Sequence, residues 1–199
     1  MWKRALALLF GVAALAAASA AGAHPHVWID AKAKLIFDKG NITAIRMRWT
    51  FDPLFTTLVM GEHDKDKNKR FDKAEVADLK ANAFSNLKNY SYFTHLRLDG
   101  APAKVSRVTG FKPSFVGGKL VYEFTVLLDK PVDPLKTRFG FGVYDETYYI
   151  EIQFDEKSPI AMTGAGSAGC NHAIAVDKKN PFYNGIIFPN IATLRCAGS

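Results

Sequence analysis

The sequence predicts a mainly β chain, an antiparallel β-sandwich with one helix–loop–helix unit inserted between its second and third strands. Three observations predict it. Short runs alternate apolar and polar residues, as in residues 27–37, the period-two signature of a half-buried strand. Turn clusters such as Asp99-Gly100, Gly117-Gly118 and Asp133-Pro134 separate these runs, a spacing that favours a sandwich. A single region, residues 53–92, departs from the pattern, with helical apolar spacing on either side of a dense acidic loop.

The chain opens with Lys3 and Arg4, an apolar run over residues 5–18 and Ala21-x-Ala23. These are the basic, hydrophobic and small-residue parts of a cleavable signal peptide, so residues 1–23 are expected to be removed and His24 to begin the mature chain. The first strand covers 27–37, and a turn at Asp38-Lys39-Gly40-Asn41 leads to a hairpin partner over 42–51. An entering helix is expected over 53–62, with Leu54, Phe55 and Leu58 as its apolar side, and an exiting one over 73–87, with Val76, Leu79, Ala83 and Phe84. Further strands are expected over 96–98, 103–111, 119–128, 138–144 and 148–154. From residue 158 the strand signal fades, and Gly164 to Gly169 reads as a flexible loop entering a C-terminal segment, 158–199, pinned by a disulfide. Residues 24–199 thus form one domain.

The acidic loop, residues 64–75, follows the twelve-residue EF-hand pattern, in which side-chain oxygens at alternate positions and a final bidentate glutamate surround calcium. Asp64, Asp66 and Asn68 supply side-chain oxygens, Arg70 its carbonyl, Asp72 a carboxylate and Glu75 the closing pair. Phe71 takes the inward apolar position. Lys69 stands where such loops carry glycine, and Lys65, Lys67, Lys69, Arg70 and Lys73 crowd the four carboxylates. The expectation is a weak calcium site; the rival is a lysine-rich surface turn that keeps only the loop's shape.

A second chemistry sits at the mature amino terminus. His24 would offer an α-amine and an imidazole, and in an extended segment His26 faces the same side; such donors suit zinc, copper, nickel or cobalt. Pro25 has no N–H to deprotonate, which excludes the square-planar site built on a second amide. His95, His172 and Asp145 are candidates to complete the set, Asp145 either as a ligand or by orienting an imidazole. Cys170 and Cys196, the only cysteines, are expected to pair in an oxidising compartment; the alternative joins Cys170 and His172 on a metal.

Together, His24-Pro25-His26-Val27-Trp28-Ile29-Asp30, Trp49-Thr50-Phe51-Asp52-Pro53, Tyr90-x-Tyr92-Phe93 and Tyr144-Asp145-Glu146-Thr147-Tyr148-Tyr149 resemble the bacterial exported family filed as domain of unknown function 1007. The resemblance implies a periplasmic component of an uncharacterised transport system, working beside a nickel/cobalt-type permease, an ABC transporter or zinc uptake. It also implies an acidic loop at this place, usually with glycine at the position of Lys69. A two-lobed solute receptor would need alternating strands and helices, which are missing, so a metallochaperone or sensor is the expected role. The alternative is an interaction module whose aromatic clusters recruit a membrane permease.

Composition excludes other classes. The chain carries a formal charge of +7, which falls to +5 without Lys3 and Arg4, and its lysines are scattered over turns; nucleic-acid binding is not expected. No nucleophile elbow, phosphate loop or His-Glu-x-x-His helix is present, and no dinucleotide fingerprint in a strand-to-helix context, so the chain is not expected to be an enzyme. An amino-terminal histidine also permits an oxidative copper enzyme, which would need a second histidine on a flat surface.

Overall fold

The computed structural model describes residues 25–197. The expected signal peptide, residues 1–23, and His24 lie outside the described residues. Eleven strands form two packed sheets among those residues.

The first hairpin follows directly from sequence alternation. β1 (Val27–Asp38) turns every second residue inward, so Val27, Ile29, Ala31, Ala33, Leu35 and Phe37 are buried. Lys39 and Gly40 both adopt positive φ (48° and 82°) at the tip, the backbone of the tight turn that matches strand twist. β2 (Asn41–Phe51) shifts phase at a bulge near Ile42, which puts Ala44 and Ile45 inside consecutively. It then continues with Met47, Trp49 and Phe51 facing the core.

The insertion follows β2 as expected. It comprises α1 (Pro53–His63), α2 (Lys73–Asn82) and a 3-10 segment, Phe84–Phe93. Asp52 caps α1 by accepting from Leu54 N and Phe55 N while its other oxygen accepts from Trp28 N at 2.9 Å. One carboxylate therefore fixes both the helix start and its angle to β1. The buried face of α1 is Thr56, Val59 and His63 rather than the expected one; Leu54 and Leu58 are exposed. Thr56 Oγ1 accepts from Leu120 N, and this polar docking onto the sheet sets a rotation that apolar spacing cannot reveal. α2 buries Leu79 as expected, but it stops at Asn82, and Phe84 reaches the core from the 3-10 segment.

β3 (Thr94–Leu98), β5 (Val105–Val116), β6 (Lys119–Val132), β7 (Phe139–Val143) and β8 (Ile150–Phe154) correspond to the five further strands expected, and β4 (Ala101–Ala103) is a short strand that was not expected. β9 (Ile160–Gly164), β10 (Cys170–Val176) and β11 (Asn190–Cys196) arise where the sequence signal fades. One sheet runs β5-β6-β2-β1-β8, with β9 also on β1; the other runs β10-β11-β7-β3-β4. β8 and β9 lie parallel to β1, so this sheet is mixed rather than wholly antiparallel. Trp49, Phe124, Phe139 and Phe141 are the largest side chains buried between the layers.

The glycine-rich stretch is anchored rather than loose. A Cβ on Gly164 would lie 2.0 Å from the Phe37 carbonyl oxygen, and one on Gly166 would lie 2.4 Å from Gly40 Cα. Gly40 N donates to Ala165 O at 2.9 Å. These glycines permit two backbones to touch.

Candidate metal centre

Geometry brings three of the acidic-loop carboxylates together. One oxygen each from Asp64, Asp66 and Glu75 lies within 4.8 Å of the others, the only such grouping of His, Cys, Asp and Glu among the described residues. α1 ends at His63, so Asp64 emerges at its C-terminus, and Asp64 and Glu75 are both buried. Backbone N–H groups wrap Asp64: Asn68 N donates to Oδ1 at 3.1 Å and Lys69 N to Oδ2 at 3.0 Å. Glu75 receives Lys65 N at 2.7 Å and Asp72 N at 3.0 Å, joining the two ends of the loop.

Asp72 accepts from Ala74 N and Glu75 N, completing a reciprocal capping box with Glu75 at the start of α2. Asn68 Oδ1 accepts from Arg70 N, and Asn68 Nδ2 donates to Asp66. Phe71 packs against the core. Lys69 takes φ +62°; the backbone keeps the left-handed turn of the sixth loop position although the residue is not glycine. Hard carboxylate oxygens in a curved loop fit calcium better than a soft or imidazole-seeking ion. Beside the loop, His63 Nδ1 lies 2.7 Å from Asp78 Oδ2, and this hydrogen bond holds the Asp78 carboxyl below its usual range.

The expected histidine set divides. His26 is exposed; its N–H donates to Tyr149 O and its ring packs on Tyr149 with centroids 4.7 Å apart. His95 lies on β3, with Tyr144 stacked on its ring at 3.7 Å and Phe182 stacked behind Tyr144. Burial pushes the His95 imidazole below its usual value, although the Tyr144 carbonyl and Glu146 pull the other way.

His172 cannot join His95. Strand register pairs His172 with Leu194, Ala192 with Phe141, and Phe141 with Leu96. Residues in register share a face and neighbours in sequence alternate, so His172 and His95 lie on opposite faces of the sheet. Asp145 is buried, and its oxygens accept from Thr147 N, Thr147 Oγ1 and Ile150 N. That pattern holds the turn into β8. Cys170 and Cys196 form a disulfide between registered residues of β10 and β11, which removes the alternative pairing of a Cys170 thiolate with His172.

Sequence reasoning missed Glu146. It is exposed, and its Oε1 lies 3.7 Å from His95 Nδ1. Between His95 and Glu146 opens a cavity of about 220 Å³, whose rim includes Asn89, Tyr90 and Ser91. Two of the aromatic motifs thus meet at one place, yet the spacing between residues 90 and 146 gives no local signal of it.

A protein of Spirochaeta aurantia described as an uncharacterized 15.5 kDa protein in the trpE 3′ region is similar to this chain, 32% identical over 131 residues, covering 66% of the chain and 93% of the relative. An uncharacterized protein of Haemophilus influenzae is 29% identical over 167 residues, covering 81% of the chain and 78% of the relative. With a family model matching residues 9–184, the chain belongs to the family described as protein of unknown function (DUF1007).

Proposed function

We propose that the chain is a periplasmic, non-catalytic metal-binding accessory of a transition-metal transport system, with calcium holding its helix–loop–helix unit. The oxygen cage of Asp64, Asp66 and Glu75 carries the reading: three carboxylates converge on a loop in which Lys69 keeps the left-handed turn of the sixth calcium-loop position. His26 supports the transport half, since it is exposed immediately before β1 and stands two residues after His24 in the sequence. Zinc, nickel, cobalt or copper would be cargo handed to an inner-membrane permease or ABC transporter.

Native mass spectrometry of the mature chain beginning at His24 tests both halves. Calcium, zinc, nickel, cobalt and copper are titrated beside a variant with one extra amino-terminal residue and beside Glu75→Gln. The reading expects one calcium lost in Glu75→Gln and one transition ion weakened by the extension. Failure of both titrations refutes it.

A second reading is a module that recruits the permease without binding a transition metal. Trp28 and Tyr149 favour it, being large, exposed and placed together by the pairing of β1 with β8. It predicts that Trp28→Ser with Tyr149→Ser abolishes permease co-purification and leaves metal binding unchanged.

A further inference from the structure

We propose that His95 Nδ1 and Glu146 Oε1 form a solvent-open, two-ligand site for a divalent transition cation of the zinc or nickel type. The inference rests on the metal-accessory reading and gives it a second site, away from the amino terminus. The imidazole tautomer comes first. His95 Nε2 lies 2.9 Å from the Tyr144 carbonyl oxygen, and a carbonyl can only accept, so Nε2 carries the hydrogen and Nδ1 keeps its lone pair. Metal-binding histidines are held in the same way, one ring nitrogen donating to a backbone carbonyl so that the other is free to coordinate.

Ring orientation is fixed as well. Tyr144 lies over the imidazole with planes 10° apart, and Phe182 lies behind it. Space for Tyr144 comes from Gly142, the register partner of His95: a Cβ there would meet Tyr144 Cε1 at 2.9 Å and Ile191 Cδ1 at 2.7 Å. The Nδ1 lone pair therefore has a set direction.

Another acceptor stands near that nitrogen. Glu146 Oε1 is 3.7 Å from Nδ1, too far for a hydrogen bond. A cation between them satisfies both. With metal–ligand bonds of about 2.1 Å, this separation subtends roughly 120° at the ion, close to tetrahedral. The adjoining cavity of about 220 Å³ leaves the remaining positions to water. Two protein ligands with open positions suit an ion that must be released again.

The test is zinc titration of the mature, disulfide-bonded protein in saturating calcium, followed by imidazole nitrogen NMR, with Glu146→Gln and the one-residue amino-terminal extension in parallel. Glu146 is exposed, so its amide variant keeps the fold. The expected result is a zinc-dependent shift of His95 Nδ1 with Nε2–H retained, affinity at that site falling about tenfold or more in Glu146→Gln, and no effect of the extension on it. Zinc shifts confined to His26 and abolished by the extension overturn this site and leave the amino-terminal reading standing. A His95 shift unaltered by Glu146→Gln overturns the two-ligand geometry. The absence of any histidine shift overturns both.

Discussion

Replacing Lys69 separates two costs that the acidic loop carries. One is conformational: a side chain at φ +62° is strained by about 1–2 kcal/mol. Glycine removes that strain but adds about 0.4–1 kcal/mol of unfolded-chain entropy, so Lys69→Gly is expected to be more stable than Lys69→Gln by roughly 0.5–1 kcal/mol. The other cost is electrostatic. Taking the ammonium about 8 Å from a divalent ion, the repulsion in water is about 1 kcal/mol, falling to about 0.4 kcal/mol at physiological salt. Removing it tightens calcium binding about twofold. The turn is held by Asn68 N and Lys69 N donating to Asp64, so strain is common to the free and bound loop and cancels in affinity. Lys69→Gly and Lys69→Gln should therefore show the same small gain in calcium affinity by titration calorimetry, a gain that vanishes in high salt, and should differ in urea stability. A glycine variant binding calcium more than tenfold tighter than the glutamine variant would refute this reasoning, because the turn would then form only on binding.

Other perturbations probe the supports of the two sites. Asp52→Ala strips the cap from Leu54 N and Phe55 N and the partner from Trp28 N; a loss of about 1–2 kcal/mol is expected in denaturant titration, and no loss would show the cap to be idle. Gly142→Ala should displace Tyr144, cost about 1–3 kcal/mol and change the ring-current shift of His95; an unchanged His95 signal would remove the clamp. Removing the disulfide as Cys170→Ser with Cys196→Ser releases a loop of 26 residues, with an upper bound of about 3.5 kcal/mol on the chain-entropy model, read from urea midpoints; a loss near zero would mean that β10 and β11 need no tether. His95 has a lowered folded pKa, so the unfolded chain binds its proton first. Its stabilising contribution is complete above about pH 6.5 and falls as pH drops through the lowered folded value. Tm should therefore decline more steeply below pH 6.5 in the wild type than in His95→Gln, and parallel profiles would show that the imidazole is not the responsible group.

What the sequence revealed and hid follows from the range over which each signal acts. The first hairpin was legible because alternation and the Lys39-Gly40 turn are local. The calcium-like loop was legible because all of its oxygens lie within twelve residues, and its capping box is visible as Asp72 and Glu75 three apart. The rotation of α1 was not, since it depends on Thr56 meeting Leu120 N, 64 residues away. β9 and β10 were hidden for a related reason: each buries a single residue, Ile160 and Cys170, so neither carries an apolar stripe, and Gly164 reads as freedom although it marks contact with Phe37. Glu146 escaped notice because an exposed acid in a tyrosine-rich turn becomes a partner of His95 only when β3 pairs with β7.

The insertion links the two chemistries. Its acidic loop presents hard oxygens, while residues 89–91, at its far end, rim the cavity beside His95. Calcium strongly prefers the first kind of donor and has little affinity for a lone imidazole; zinc and nickel prefer the second. The two proposed sites would therefore compete little for ions, and the α2 and 3-10 segments that join them pack into the same core through Leu79, Phe84 and Phe93. If the proposed function holds, a transported ion that must leave would gain from a site with few ligands on a rigid wall, and a calcium-filled loop would make that wall rigid. On the proposed reading, the lysines around the loop would weaken calcium but leave this division intact, because they act on the charge of a bound ion and not on the donors that select it.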